Sequence, residues 1–115
     1  MIVLTVGVFG LCREVKRGDL GGHIADQLVR SSGSGAANYA EARGAERHND
    51  FIHKLGIVRK ELNECLVWLK IMEKVHFDGG ESIDALKQEC DELVRIISAS
   101  RKIAEERRTQ TWKKF

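Results

Sequence analysis

Side chains able to bind metal ions or transfer protons are scattered along this sequence. In helical bundles, two-metal sites use Glu-x-x-His pairs that project from facing helices. Glu73 and His76 have that spacing, and Asp50 and His53 form a weaker version of it. Both pairs fall in one predicted helix, where the separation between His53 and His76 amounts to roughly 35 Å. We therefore predict no metal site and no cofactor.

The small residues at 31–35 raise a second possibility, a loop that holds phosphate. They read Ser-Ser-Gly-Ser-Gly, but no lysine of the Walker type follows and no preceding strand is evident. No Ser/His/Asp or Cys/His set has the turn or pocket that nucleophilic catalysis requires. The sequence therefore predicts a protein that is not an enzyme.

Basic residues gather at the C-terminal end. From residue 101 onward six basic residues accompany two acidic ones, although the whole chain carries a net charge of only +2. The basic residues are Arg101, Lys102, Arg107, Arg108, Lys113 and Lys114. With Trp112 among them, this composition suits nucleic acid, through phosphate contacts and base stacking, although a charge run by itself is weak evidence. The alternative is a solvated helix end, where the helix dipole favours cations.

A second polar set flanks the apolar stripes of the middle segments. It consists of Arg30, Asn38, Glu41, Glu61 and Glu64. These side chains either line a polar pocket or form an interfacial hydrogen-bond network that fixes how the helices pair. We favour the network, because polar groups in bundles commonly specify pairing.

Four predicted helices position these residues. The 115 residues are 43% apolar and 31% charged and include no proline, as expected of a single helical domain over 1–115. The helices are predicted at about 2–16, 22–43, 45–76 and 81–108, with a fraying tail at 109–115. Short glycine-bearing connections predict an all-α, antiparallel, up-down-up-down four-helix bundle.

Two apolar seams carry this prediction, because their spacing alternates between three and four residues. The seam of the third segment contains Phe51, Leu55, Val58, Leu62, Cys65, Leu69 and Met72. The seam of the fourth contains Ile83, Leu86, Cys90, Leu93, Ile97, Ser100 and Ala104. Both seams are expected to face the core.

The first two segments are less regular. In the second, helical spacing continues from Ile24 through Ser31 and Gly35 to Ala42, so we interpret 31–35 as a tightly packed helix face rather than a linker. In the first, Val3, Val6 (with Phe9 or Gly10) and Leu11 are predicted to share one face. Its β-branched residues and two glycines leave a strand as the local alternative. Its apolar pattern starts at Met1 without a cap, so we expect the natural helix to begin further upstream.

The cysteines and the N-terminal segment indicate the cellular compartment in which the protein is expected. Cys12, Cys65 and Cys90 are odd in number and include no Cys-x-x-Cys, which favours reduced, inert thiols used as small core residues. The apolar start at 1–12 is too short to span a bilayer and lacks the features of a signal peptide. We therefore predict cytoplasmic localisation and no membrane partner.

The central stretch contains five motifs that can be compared with known families. They are Arg30-Ser31, Ala-Asn-Tyr-Ala-Glu-Ala at 37–42, Asp-Phe-Ile-His-Lys-Leu at 50–55, Lys-Glu-Leu-Asn-Glu at 60–64 and Trp68-Leu69. Together they resemble the four-helix bundle protein family, first described from intervening sequences of bacterial 23S rRNA genes. Gly35, Arg59 and the pair Leu66-Val67 depart from its pattern, and the first helix is shorter.

The resemblance implies a non-enzymatic antiparallel bundle that assembles as a homopentamer. A relative of this fold serves diversity-generating retroelements as a basic accessory protein that binds nucleic acid and a reverse transcriptase. We therefore expect a nucleic-acid-binding or ribonucleoprotein accessory factor, whose partners are its own copies, RNA or DNA, and a reverse transcriptase or another protein. The alternative is a purely structural or protein-binding oligomer without nucleic-acid contact.

Overall fold

The residues that the structure describes form four helices. The computed structural model describes residues 1–13, 20–75 and 80–113. Its helices are α1 (Ile2–Cys12), α2 (Leu20–Arg43), α3 (His48–Lys74) and α4 (Gly80–Lys113), and these described residues include no strand. The predicted all-α class with four helices is confirmed.

The connection between α2 and α3 is longer than the glycine signal suggested. The Gly44 N–H donates to the carbonyls of Ala40 and Glu41, and the Ala45 N–H donates to that of Ala42, so the chain makes one further turn. Arg47 then adopts an extended conformation, with φ −104° and ψ 140°, and α3 begins at His48 rather than near residue 45. At the other end of the chain, α4 continues to Lys113, beyond the predicted end at 108.

The core follows the two predicted seams. On α3, all seam residues from Leu55 to Met72 are buried, and half-buried Phe51 packs against them. On α4, Leu93 and Ser100 are half-buried and the rest of the seam is buried. The periodic patterns therefore located the inward faces of both long helices.

Interhelical contacts show which helices are neighbours. In the described residues α1 and α3 each pack against both α2 and α4, while α2 and α4 do not contact each other. Going from Ser31 to Glu41 along α2, the partner on α3 moves back from Cys65 to Lys54. The folded chain is elongated, with extents of 58 × 20 × 20 Å.

The prediction that Val3, Val6 and Leu11 share one face of α1 is wrong. Leu4, Val8, Leu11 and Cys12 are buried, whereas Val3 is 73% exposed and Val6 63% exposed. The α1 helix is apolar on all sides, so its sequence carries no contrast from which a face can be read.

The small residues at 31–35 lie within α2, which confirms the prediction that they belong to a helix and do not form a linker. Ser31 and Ser32 are fully buried, and the Thr5 hydroxyl on α1 donates to the Ser32 carbonyl at 3.2 Å. A Cβ added at Gly35 would lie 3.7 Å from the Glu61 Cβ on α3, whereas one added at Gly33 would meet nothing within 4 Å. The close helix packing expected of this segment therefore holds at Gly35 but not at Gly33.

Candidate functional site

The second half of α4 places the predicted basic residues beside the beginning of α3. The Arg108 guanidinium donates to the Asn49 side-chain oxygen at 3.2 Å. His48 Nε2 lies 2.6 Å from the Ala104 carbonyl oxygen, which it reaches as a donor. These contacts join the two helices, so their basic groups belong to one end of the molecule.

Arg101 differs from its basic neighbours because it packs against α3. Its Nε donates to the Ile52 carbonyl at 3.3 Å, and one of its terminal nitrogens lies 3.7 Å from a Glu105 carboxylate oxygen. Its guanidinium covers Gly56, where an added Cβ would come within 3.3 Å of it. These contacts give Arg101 a role in joining the helices.

The other basic residues of the predicted set whose side chains the structure describes face outward. Lys102, Arg107 and Arg108 are exposed on α4, although Arg108 keeps its contact with Asn49. The side chain of Lys113 and the whole of Lys114 lie outside the described residues. Exposed guanidinium and ammonium groups on one helix end can bind successive phosphates of a polyanion.

Charge is segregated along α4 in a way that the total charge conceals. Residues 80–98 carry five acidic and two basic side chains, whereas 101–113 carry five basic and two acidic ones. Exposed Arg43 and Arg47 flank the α2–α3 connection at the basic end, where Glu46 and Asp50 partly offset them. The molecule therefore has a basic end and an acidic stretch on the same helix.

A groove runs between α3 and α4 at the basic end. Its volume is about 360 Å³, and it is lined by His48, Phe51, Ser100, Ile103, Ala104 and Arg107. The His48 and Phe51 rings stack with centroids 6.5 Å apart and planes inclined by 29°. Sequence reasoning missed this ring pair because it assigned Phe51 to the core seam. Rings next to an arginine suit a nucleobase as well as phosphate.

Three members of the predicted polar network meet between α2 and α3. Arg30 forms an ion pair with Glu61 at 3.4 Å and another with Glu64. The Trp68 indole N–H also donates to Glu64 at 3.4 Å, and Gln27 accepts a hydrogen bond from Arg30 at 3.1 Å. Gln27 and Trp68 were missed, although each lies one helical turn from a predicted member.

The other two members lie elsewhere. Glu41 pairs with Lys54 at 2.7 Å, nearer the α2–α3 connection. The Asn38 amide donates within its own helix, to the Ser34 carbonyl at 2.9 Å. The predicted set thus separates into a cluster around Arg30, a second ion pair and a local helix contact.

The three cysteines are free and buried, as the prediction of small core residues requires. Cys12 lies 3.6 Å from the Ala25 carbonyl oxygen, and Cys65 lies 3.1 Å from the Ser31 hydroxyl. A hydrogen bond with Cys90 lowers the pKa of the Cys65 thiol, whereas the same contact and burial raise the pKa of Cys90.

Two further observations concern metal and membrane. Within the described residues, no three His, Cys, Asp or Glu side chains lie close enough together to hold a metal ion. His76, from the Glu-x-x-His pair, lies outside those residues. None of the helices, as far as the chain is described, is long and apolar enough to cross a membrane.

These features define a small protein whose described residues form four helices and no strand, with a basic end. Residues 4–99 match the model of the 23S rRNA-intervening sequence protein family, and the chain belongs to that family. The resemblance carried by the central motifs is thus confirmed, while the link to the retroelement accessory protein stays a prediction.

One solved structure illustrates the likeness. It is a protein of unknown function from the S23 ribosomal protein family of Bacteroides thetaiotaomicron VPI-5482, 25% identical to this chain. The match covers 88% of this chain and 94% of that one, with a TM-score of 0.79. No curated protein sequence matches the chain.

Proposed function

We propose that this chain is a non-enzymatic, homo-oligomeric bundle whose basic end binds nucleic acid as an accessory factor of a ribonucleoprotein. The observation that carries the proposal is the concentration of basic residues on the second half of α4, next to the α2–α3 connection. The family description, which refers to an rRNA intervening sequence, agrees with an RNA partner. The partner set is RNA or DNA, further copies of the chain, and a reverse transcriptase or another protein.

We also propose the antiparallel, up-down-up-down arrangement and a cytoplasmic location. Support for the arrangement comes from the contacts of α3 with both neighbours. Arg30 pairs with Glu61 and Glu41 with Lys54, so rising numbers on α2 meet falling numbers on α3. The buried free thiols fit a reducing compartment.

Lys102 and Arg107 are suitable residues for testing nucleic-acid binding, because both are exposed on the basic half of α4. Removing one phosphate-binding cation lowers the dependence of log affinity on log salt by about 0.7 for a single strand. A double variant, Lys102→Gln with Arg107→Gln, should therefore bind single-stranded RNA more weakly and with a salt slope reduced by about 1.4. Fluorescence anisotropy from low to moderate salt measures both quantities.

Lys60→Gln is the matched control. Lys60 is an exposed cation on α3, and its removal from a surface away from the basic end should leave affinity and slope nearly unchanged. Three results would contradict the nucleic-acid proposal. They are absence of binding at low salt, an affinity independent of ionic strength, and an equal loss of affinity in the double variant and the control.

The alternative function, a structural or protein-binding oligomer, rests on α1. Ile2, Val3, Val6 and Phe9 are exposed large apolar residues on one short helix. A helix that is apolar all round is ordinarily covered on all sides, and a contiguous patch of this kind marks an interaction surface. We propose that further copies of the chain cover it, in a homopentamer as the family resemblance implies. Oligomers that do not bind nucleic acid would favour this alternative.

A further inference from the structure

One side of α4 forms most of the groove at the basic end. Its residues there are Ser100, Ile103, Ala104 and Arg107, which lie within two helical turns of one another. Ile103 is a large apolar residue and is 49% exposed, on a stretch that is otherwise strongly charged. Ile96 is 59% exposed on the same helix but lies outside the groove. Single exposed apolar residues are common on protein surfaces, so Ile103 matters for the groove that it borders.

Two rings of α3 form the opposite wall. The His48 and Phe51 rings have centroids 6.5 Å apart and planes inclined by 29°. His48 Nε2 donates to the Ala104 carbonyl at 2.6 Å, which joins this wall to α4. Phe51 is half-buried and packs against the core, so the core supports its ring while part of the ring stays accessible. The groove is therefore formed by contacts that the folded chain already makes.

The size and lining of the groove suit a flat heteroaromatic group. Its volume of about 360 Å³ falls at the lower end of the range for small-molecule sites, about 300 to 1,000 Å³. Phe51 and Ile103 supply apolar surface for the face of such a ring. The Ser100 hydroxyl can both donate and accept a hydrogen bond, which suits a polar ring edge. A nucleobase has this combination of an apolar face and a polar edge.

The charges around the groove favour a polyanion as the carrier of that ring. Arg107 lines the groove, and exposed Lys102 is the residue before Ile103. Residues 101–113 carry five basic and two acidic side chains. An acidic peptide would match this charge but would offer a flat ring only at an aromatic residue. Every nucleotide of a strand offers both a ring and a phosphate, so nucleic acid fits the groove and its surroundings together.

We propose that the groove binds an unpaired nucleobase of single-stranded RNA or DNA, with the base against Phe51 and Ile103 and a neighbouring phosphate at Arg107. The inference rests on the proposed nucleic-acid function and narrows its ligand to single strands. A base of a duplex would have to leave its stack to enter the groove, which costs free energy. Charge alone gives the opposite preference, because duplex DNA has the higher charge density. A preference for single strands therefore measures the contribution of the groove.

The test compares ligands of equal length on the full chain by fluorescence anisotropy. The ligands are single strands of uridines and of thymidines, a duplex, and abasic forms of both single strands, which keep every phosphate and lack the bases. The base-bearing single strands should bind more tightly than the duplex. They should also bind at least about fivefold more tightly than their abasic forms, because stacking on an aromatic side chain contributes that much per base. Binding of only one of the two strands would support the groove and identify the sugar that it accepts.

Ile103→Ala and Ile96→Ala form a matched pair, because both remove an exposed isoleucine of α4 and only the first changes the groove. Ile103→Ala should reduce the advantage of the base-bearing strands over their abasic forms, whereas Ile96→Ala should leave it unchanged. Phe51→Leu keeps an apolar side chain but removes the ring, so it should lose about fivefold or more in affinity for the base-bearing strands. If Phe51→Leu fails to fold, the abasic strands and the isoleucine pair still decide the question.

The outcomes separate the groove from the proposed function. Equal affinity for base-bearing and abasic strands, or an equal effect of the two isoleucine variants, would overturn the groove proposal. If salt-dependent binding persisted in that case, the proposed nucleic-acid function would stand without the groove. A change of sedimentation in Ile103→Ala would show that a second copy covers the groove, which would also overturn the proposal. Absence of binding to every strand at low salt would refute both.

Discussion

At the scale of single residues, glycines show which helix faces are closely packed. Gly33 and Gly35 lie two positions apart on α2, yet only Gly35 would bring a Cβ near another helix. Glycine in a helix interior is less favourable than alanine by up to about 1 kcal/mol. Replacing glycine by alanine should therefore change the stability of the protein differently at the two positions.

We expect Gly33→Ala to raise the free energy of unfolding by about 0.5 to 1 kcal/mol, because the new methyl enters open space and removes the glycine penalty. Urea denaturation at fixed protein concentration measures the change. Gly35→Ala is the comparison. Its new Cβ would lie 3.1 Å from the Met1 side chain, so the free energy of unfolding should rise less in this variant. A loss of stability in Gly33→Ala would show that this face is covered.

Contacts of single side chains across helices are what sequence reasoning could not supply. Arg101 was grouped with the nucleic-acid candidates by its charge, but its guanidinium lies over Gly56 on α3. The contact between the Cys65 sulfur and the Ser31 hydroxyl likewise depends on the relative register of α3 and α2. The periodic apolar pattern identifies the buried face of a helix. It does not give the axial position of that helix relative to its neighbour.

At the scale of helices, α3 and α1 show where sequence patterns succeed and fail. On α3, apolar seam residues alternate with charged ones, so the buried face could be predicted almost residue by residue. On α1 the outward Val3 and Val6 are as apolar as the inward Leu4 and Val8. Only contact with a neighbouring helix distinguishes those two faces.

A pair of glycine substitutions on α1 tests its orientation. A Cβ at Gly7 would lie 2.8 Å from the buried side chain of Leu86 on α4, whereas a Cβ at Gly10 would meet nothing within 4 Å. Overpacking a core contact costs about 1–3 kcal/mol. We expect Gly7→Ala to be less stable than Gly10→Ala by about that amount in urea denaturation. Equal stabilities would contradict the position of α1 against α4.

At the scale of the whole molecule, the two proposed surfaces occupy different places. The exposed apolar residues of the proposed assembly surface lie on α1, which packs against Ser32 and Leu86. The basic residues lie beside Asn49 at the start of α3. Substitutions on one surface should therefore leave the other intact. Assembly would also repeat the basic end once per copy, which raises avidity for a long polyanion without any new contact.

Assembly through α1 leads to the last prediction. Val3→Glu with Val6→Glu places two charges on the outer face of α1, away from the buried Leu4 and Val8, so the fold should survive while the oligomer dissociates. Sedimentation at micromolar concentration should give an oligomer for the unsubstituted chain and a 13.0 kDa monomer for the variant. Val67→Glu, at an exposed valine on α3, is the matched control and should remain oligomeric. A monomeric unsubstituted chain would refute assembly altogether, whereas an oligomer that survives both charges would place the interface away from α1.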